Sequence, residues 1–174
     1  GGSVQISGVR GRSFQTGASI TLGALALTEE FINHDPVTGE EIERVEEEIA
    51  RQLDTVPWLP KKEGARLVGL GGTIRNLARI EAERIDHPLN TLHGFVLGSD
   101  SVRESIRQFR DLPLDERRAI PGLNSDRADI ILPGAMVLSA VMERLGVDHI
   151  ETSENGVREG VFFERFWRHL EEPI

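Results

Sequence analysis

The 174-residue sequence contains no cysteine. Disulfides, thiolate catalysis and zinc–thiolate sites are therefore excluded, and the composition fits a cytoplasmic setting. There is no run of about 18 apolar residues, so no membrane partner is expected. The first residues carry no basic region followed by an apolar stretch and do not read as a signal peptide. Basic residues are in the minority, 20 against 29 acidic for a formal net charge of −9, which argues against a broad nucleic-acid footprint. Local anion sites built from backbone N–H groups do not depend on net charge and stay open. None of the histidines (His34, His87, His93, His149, His169) pairs with a second histidine three or four residues on, so a histidine metal site is not expected. No internal repeat or second domain is visible.

With 39% hydrophobic and 28% charged residues, the chain can build one globular core. Val4-Gln5-Ile6-Ser7 alternates as a strand, Gly8 to Gly11 reads as a turn, and Ser13 to Ile20 reads as a second strand. A helix is expected within "TLGALALTEEFINHD", broken at Asp35-Pro36. Thr38-x-x-Glu41 predicts a capping box, after which Ile42, Val45, Ile49 and Leu53 share a face. The other face, Glu40, Glu41, Glu43, Glu46, Glu47 and Glu48, reads as solvated, with a carboxylate metal cluster as the alternative.

After the turn-rich "PWLPKKEG", Leu67 to Leu70 predicts a short buried strand and Thr73 to Arg84 a helix. Ser101 to Arg110 predicts another, opened by Ser101-x-x-Glu104, with Arg103, Arg107 and Arg110 as a basic stripe. Leu112 to Leu123 reads as loop. The longest helix is expected over Ser125 to Leu145, with Pro133 forcing a kink or a late start and Gly146 as C-cap. A strand over Val147 to Ser153 and a last helix with Val157, Phe162, Phe166 and Leu170 on one face complete the chain. Late strands alternating with helices argue an α/β fold with parallel pairing in that half.

Three glycine turns adjoin predicted strands: Gly1-Gly2-Ser3, Gly71-Gly72-Thr73 and Asn155-Gly156. Glycine lets backbone N–H groups face a phosphate, and a hydroxyl such as Ser3 or Thr73 adds a donor or a cap. The helix opening at Thr73 also offers free N–H groups and its positive dipole end. A plain strand-to-helix turn explains Gly71-Gly72 equally well. No Walker-type Lys-Ser/Thr follows, and Gly69, Gly71 and Gly72 lack the dinucleotide-binding spacing. Asp129 reads as a helix-face ion pair or a site carboxylate. Arg158-Glu159 opens the last helix, where Glu159 suits local capping.

Together, "VGLGGTIRNLARI", "IPGLNSDRADIILPGAMVLSAVMERLGV" and "SENGVREGVFFE" resemble the exopolyphosphatase/guanosine pentaphosphate phosphatase family, and "GGSVQISGVRG" with "SITLGALALTEEF" is similar to the segment after that family's first phosphate loop. The resemblance runs through nearly the whole chain in the family's order. It implies an α/β, actin-like (ribonuclease-H-like) domain, a mixed sheet flanked by helices. It further implies that residues 1–174 form the second half of a duplicated core, opening inside the family's Asp-Ile-Gly-Gly-Gly-Ser loop, with the preceding strand and a first actin-like domain as missing partners. A Gly-Gly-Ser purification scar is the plain alternative for the opening.

By the same resemblance, Gly1, Gly2, Ser3, Gly71, Gly72 and Thr73 are expected to bind phosphate. Arg75, Asp129, Arg158 and Glu159, with the stripe at Arg103, Arg107 and Arg110, are candidates to line the cleft. The implied reaction releases terminal phosphate from inorganic polyphosphate or guanosine pentaphosphate, with Mg²⁺ and an in-line water. Metal ligands within the chain are not identified, and a homodimer is a further partner state. Gln5 stands where the family usually has glutamate, and a glutamine takes no proton at neutral pH. A non-catalytic module that binds polyphosphate or an alarmone is the alternative function. Half of a sugar kinase on the same fold fits the motifs less well.

Overall fold

The computed structural model describes residues 1–11, 13–59, 64–88 and 91–167. The chain opens with an antiparallel hairpin, β1 (Val4–Arg10) and β2 (Ser13–Ile20), irregular at Gly8/Val9. The expected turn at Gly8 to Gly11 is thus corrected: β1 carries on to Arg10, and Gly11 lies in the turn, at φ 60°. Helix α1 (Ala24–Phe31) is shorter than the apolar pattern suggested, because Ile32 turns extended.

Helix α2 (Gly39–Asp54) begins at the predicted capping box. Thr38 Oγ1 accepts from the Glu41 N–H, and Glu41 Oε2 accepts from the Thr38 N–H. Ile42, Val45, Ile49 and Leu53 are buried as predicted. Glu41 does not lie on the solvated face. It is buried, because its other oxygen also accepts from the Asn33 N–H and bonds the His34 ring.

The second sheet has three strands. Strand β5 (His149–Thr152) is central, parallel to β3 (Val68–Gly69) and antiparallel to β4 (Val96–Gly98). The parallel pairing is as expected. β4 carries no alternation in three residues and was not legible in the sequence. The strand at Leu67 to Leu70 is not a fully buried one: Val68 and Leu70 are 51% and 57% exposed, leaving one sheet face open. Among the described residues, β1 pairs only with β2 and β3 only with β5, so each has a free edge.

Helix α3 (Gly72–Arg84) follows β3, and α4 (Ser99–Asp111) follows β4. The Ser101-x-x-Glu104 start is corrected: Gly98 is the N-cap, and Glu104 pairs instead with Arg107. A short helix, α5 (Leu114–Arg118), interrupts the expected loop. Helix α6 (Ile131–Leu145) takes the late start that Pro133 predicted. The proline sits in the first turn, where its missing N–H costs nothing, and left-handed Gly146 caps the other end. Being apolar on nearly every face, α6 is the central pillar, packed by α1, α2, α3 and α4.

Helix α7 (Val157–Phe162) runs into a π-helical turn, Phe163–Trp167. Val157, Phe162 and Phe166 do not face the core as expected. They are 85%, 55% and 61% exposed. Leu170 and His169 lie outside the described residues, as does part of "PWLPKKEG". No helix among the described residues is long and apolar enough to cross a membrane.

Candidate phosphate-binding site

The two glycine loops come together through the starts of α1 and α3. A Cβ on Gly23, the N-cap of α1, would collide with the backbone of Gly1 and Gly2, so the first loop lies directly against that helix start. One residue on, Ala24 faces Gly134 of α6 from one side, and Thr73 of α3 faces it from the other. A Cβ on Gly134 would sit 3.2 Å from Ala24 Cβ and 2.8 Å from Thr73 Oγ1. Only a residue without a side chain lets α1, α3 and α6 close up here. Gly71 holds φ 106°, a conformation that β-carbons disfavour, and leads the chain from β3 into α3 without a side-chain cap. The first N–H groups of α1 and α3 are therefore not capped by side chains.

A cation rests on the first turn of α3, beside this junction. A Cβ on Gly72 would lie 2.6 Å from Arg127 Cζ, so the guanidinium rests on the glycine at the first turn of α3. Arg127 is half-buried, and no carboxylate pairs with it among the described residues. Other arginines are paired: Arg103 with Asp100, Arg107 with Glu104, and Arg117 with Asp35. The α4 stripe therefore reads as ion-paired surface over Arg103 and Arg107. Arg75 is exposed and folds back so that Nε donates to the Gly71 carbonyl at 3.3 Å.

The remaining candidates divide. Ser3 and Gln5 are exposed, and the Gln5 amide donates to Ser3 Oγ (2.8 Å) and Ser19 Oγ (3.2 Å), bracing the first loop. Glu159 closes the start of α7 by accepting the Gly156 N–H at 2.6 Å, the capping role that suits its position. Its carboxyl is held below the usual carboxylate range, first by that bond, then by its own N–H, against some burial, and then by the fields of Arg158 and Arg75. Arg158 and Asp129 are exposed, and Asp129 makes no ion pair among the described residues. Asp129 precedes α6 rather than lying in it.

Sequence reasoning missed Arg127, Gly23 and Gly134. A glycine inside the apolar helix pattern at Gly134 was a usable signal of close approach. Arg127 had none, since nothing local distinguishes an arginine that docks on a glycine 55 positions away, as the difference of 127 and 72 gives.

The set at the junction consists of donors: N–H groups, the Thr73 hydroxyl and two guanidinium groups. That chemistry suits an anion. It does not suit a cation, and no group of three or more metal-ligating side chains occurs among the described residues. Among the described residues, the Mg²⁺ expected from the resemblance thus finds no cluster of ligands.

An α/β domain with a mixed sheet flanked by helices belongs to the actin-like class, and the comparisons agree on that fold. The Ppx/GppA phosphatase family model matches residues 1–169, and the chain belongs to that family. A solved Ppx/GppA family member from Aquifex aeolicus superposes with a TM-score of 0.87 at 30% identity, over 99% of this chain and 55% of that one. An exopolyphosphatase structure from Cytophaga hutchinsonii, at 22% identity, shares the fold with a TM-score of 0.81 over 94% of this chain and 53% of that one. Exopolyphosphatase 1 of Mycobacterium tuberculosis is 25% identical across 95% of this chain and 48% of its own length. The chain thus spans about half the length of the relatives it matches. The expected actin-like α/β fold is the observed one, and the family is one of phosphatases.

Proposed function

We propose that this chain is the second of two actin-like domains and forms the phosphate-gripping wall of a phosphoanhydride hydrolase. Its substrate class is inorganic polyphosphate, with guanosine pentaphosphate as the related possibility on the same chemistry. The observation that carries the reading is the Arg127 guanidinium, without a carboxylate partner among the described residues, resting on Gly72 of the second glycine loop. A terminal phosphate there would take N–H groups from the starts of α1 and α3, the Thr73 hydroxyl and Arg127. These donors neutralise and orient the charge that shifts during phosphoryl transfer to water. The free edges of β1 and β3, and the coverage of half of each relative, support a second domain that completes the sheet and the cleft.

In this reading the general base and any Mg²⁺ ligands come from that other domain. Gln5 donates to two hydroxyls and withdraws no proton. The test is calorimetric titration of the 174-residue chain with inorganic tripolyphosphate. Binding is expected, Arg127→Gln should weaken it about tenfold, and the chain alone should release no phosphate. Equal affinity in the variant, or turnover by this chain, refutes the assignment.

A further inference from the structure

The turn carrying Arg127 is fastened to the glycine loop by one buried amide. Asn76, on the second turn of α3, is 5% exposed. Its Nδ2 donates to the Gly72 carbonyl at 2.7 Å, and its Oδ1 accepts from the Asn124 N–H at 2.7 Å. Asn124 is itself the cap of the 3₁₀ turn Ser125–Arg127. Its Oδ1 accepts from the Asp126 N–H at 3.0 Å, and its carbonyl accepts from the Arg127 N–H at 2.9 Å. The ring closes where Arg127 lies back on Gly72. Each link is short, and the amide's donor and acceptor face groups that fix which way it points.

A second contact holds the same segment to α3. Gly122, at φ +83°, approaches so closely that a Cβ would be 2.7 Å from the Arg79 carbonyl and the Ile80 nitrogen. Gly122 fixes how near the 121–128 segment comes, while Asn76 fixes its register against the glycine loop. An alanine at 76 would leave both hydrogen-bonding groups without that partner, and the turn would be free to slide along α3. The guanidinium is on the far end of that turn, so small slippage there moves the Arg127 cation away from Gly72.

We infer that Asn76 is a positioning residue, whose role is to hold Arg127 over Gly71-Gly72-Thr73 for an incoming phosphate. The inference rests on the phosphate-wall reading above. It goes further in assigning a function to a buried side chain that touches no ligand.

The test is a double-variant cycle on the full chain, with inorganic tripolyphosphate affinity read by calorimetry and melting temperature read alongside. Asn76→Ala should weaken binding about tenfold when Arg127 is present and hardly at all in an Arg127→Gln background, the coupling expected of residues acting as one unit. Asn76→Leu, a near-isostere that loses donor and acceptor without adding charge, should weaken binding in the same background-dependent way. It serves for the cycle if the alanine variant does not fold. A purely structural asparagine would lower the melting temperature and cost the same affinity in both backgrounds, which overturns the inference. Unchanged affinity in both Asn76 variants, with Arg127→Gln still damaging, overturns it while leaving the phosphate wall standing. Loss of fold in both variants also overturns it, since Asn76 would then serve the core. No effect of Arg127→Gln, or no binding at all, removes the phosphate wall and the inference with it.

Discussion

At Gly72 the site depends on a side chain that is absent. A methyl group there would displace the Arg127 guanidinium, which is the movable end of a long side chain, and would meet it at 2.6 Å. The displacement is cheap for folding and damaging for the ligand. Gly72→Ala should therefore keep the melting temperature within about 3 °C of the parent while tripolyphosphate affinity falls about tenfold. Calorimetry of binding beside a thermal melt separates the two effects. The sequence made Gly71-Gly72-Thr73 visible as a glycine turn before a helix. It did not show why Gly72 resists a side chain, because the neighbour responsible is brought over it only by the fold. Gln5 shows the opposite case: its identity was legible, and so was its inability to act as a base, and the structure adds that its amide braces Ser3 and Ser19.

The element whose stability is most local is α2. Burial alone would raise the Glu41 carboxyl, but the Thr38 N–H, the His34 ring and the Asn33 N–H outweigh it and hold the value at about 2, against an ordinary 4.5. A depressed folded value stabilises the protein fully above the unfolded value, and the gain is lost as pH falls from about 4.5 through about 2. Glu41→Gln puts an N–H₂ group against an N–H donor and should cost about 1–3 kcal/mol at neutral pH. Urea unfolding should show the gap between parent and variant closing below pH 4.5, over the same titration range. The capping box was readable from four residues because its partners are three apart in the chain. Its buried extension to Asn33 and His34 was not, since a loop eight residues away supplies it. β4 escaped notice for a related reason: three residues carry no period, and β5 alone makes them a strand.

For the whole molecule, stability and surface separate cleanly. Phe109 of α4 is fully buried in the core, whereas Phe166 is 61% exposed. Phe109→Ala should cost about 3–5 kcal/mol, and Phe166→Ala should stay within about 0.5 kcal/mol, both by denaturant unfolding of the same chain. The apolar spacing of the last helix looked like a core face in the sequence, since periodicity reports a sided helix and says nothing of which neighbour covers that side.

What this sequence determined by itself is what acts over short distance. It includes the hairpin's alternation, the capping box of α2, the break that Pro133 imposes at the start of α6, and the glycine turns that lead strands into helices. Its ordered motifs also carried the family resemblance. Only the tertiary structure decided that Gly1-Gly2 lies on Gly23, that Gly134 lets α1 and α3 close on α6, and that Arg127 comes to rest on Gly72 under the hold of Asn76. Those contacts join residues tens of positions apart, and their strength comes from close approach of backbones, which no local pattern encodes.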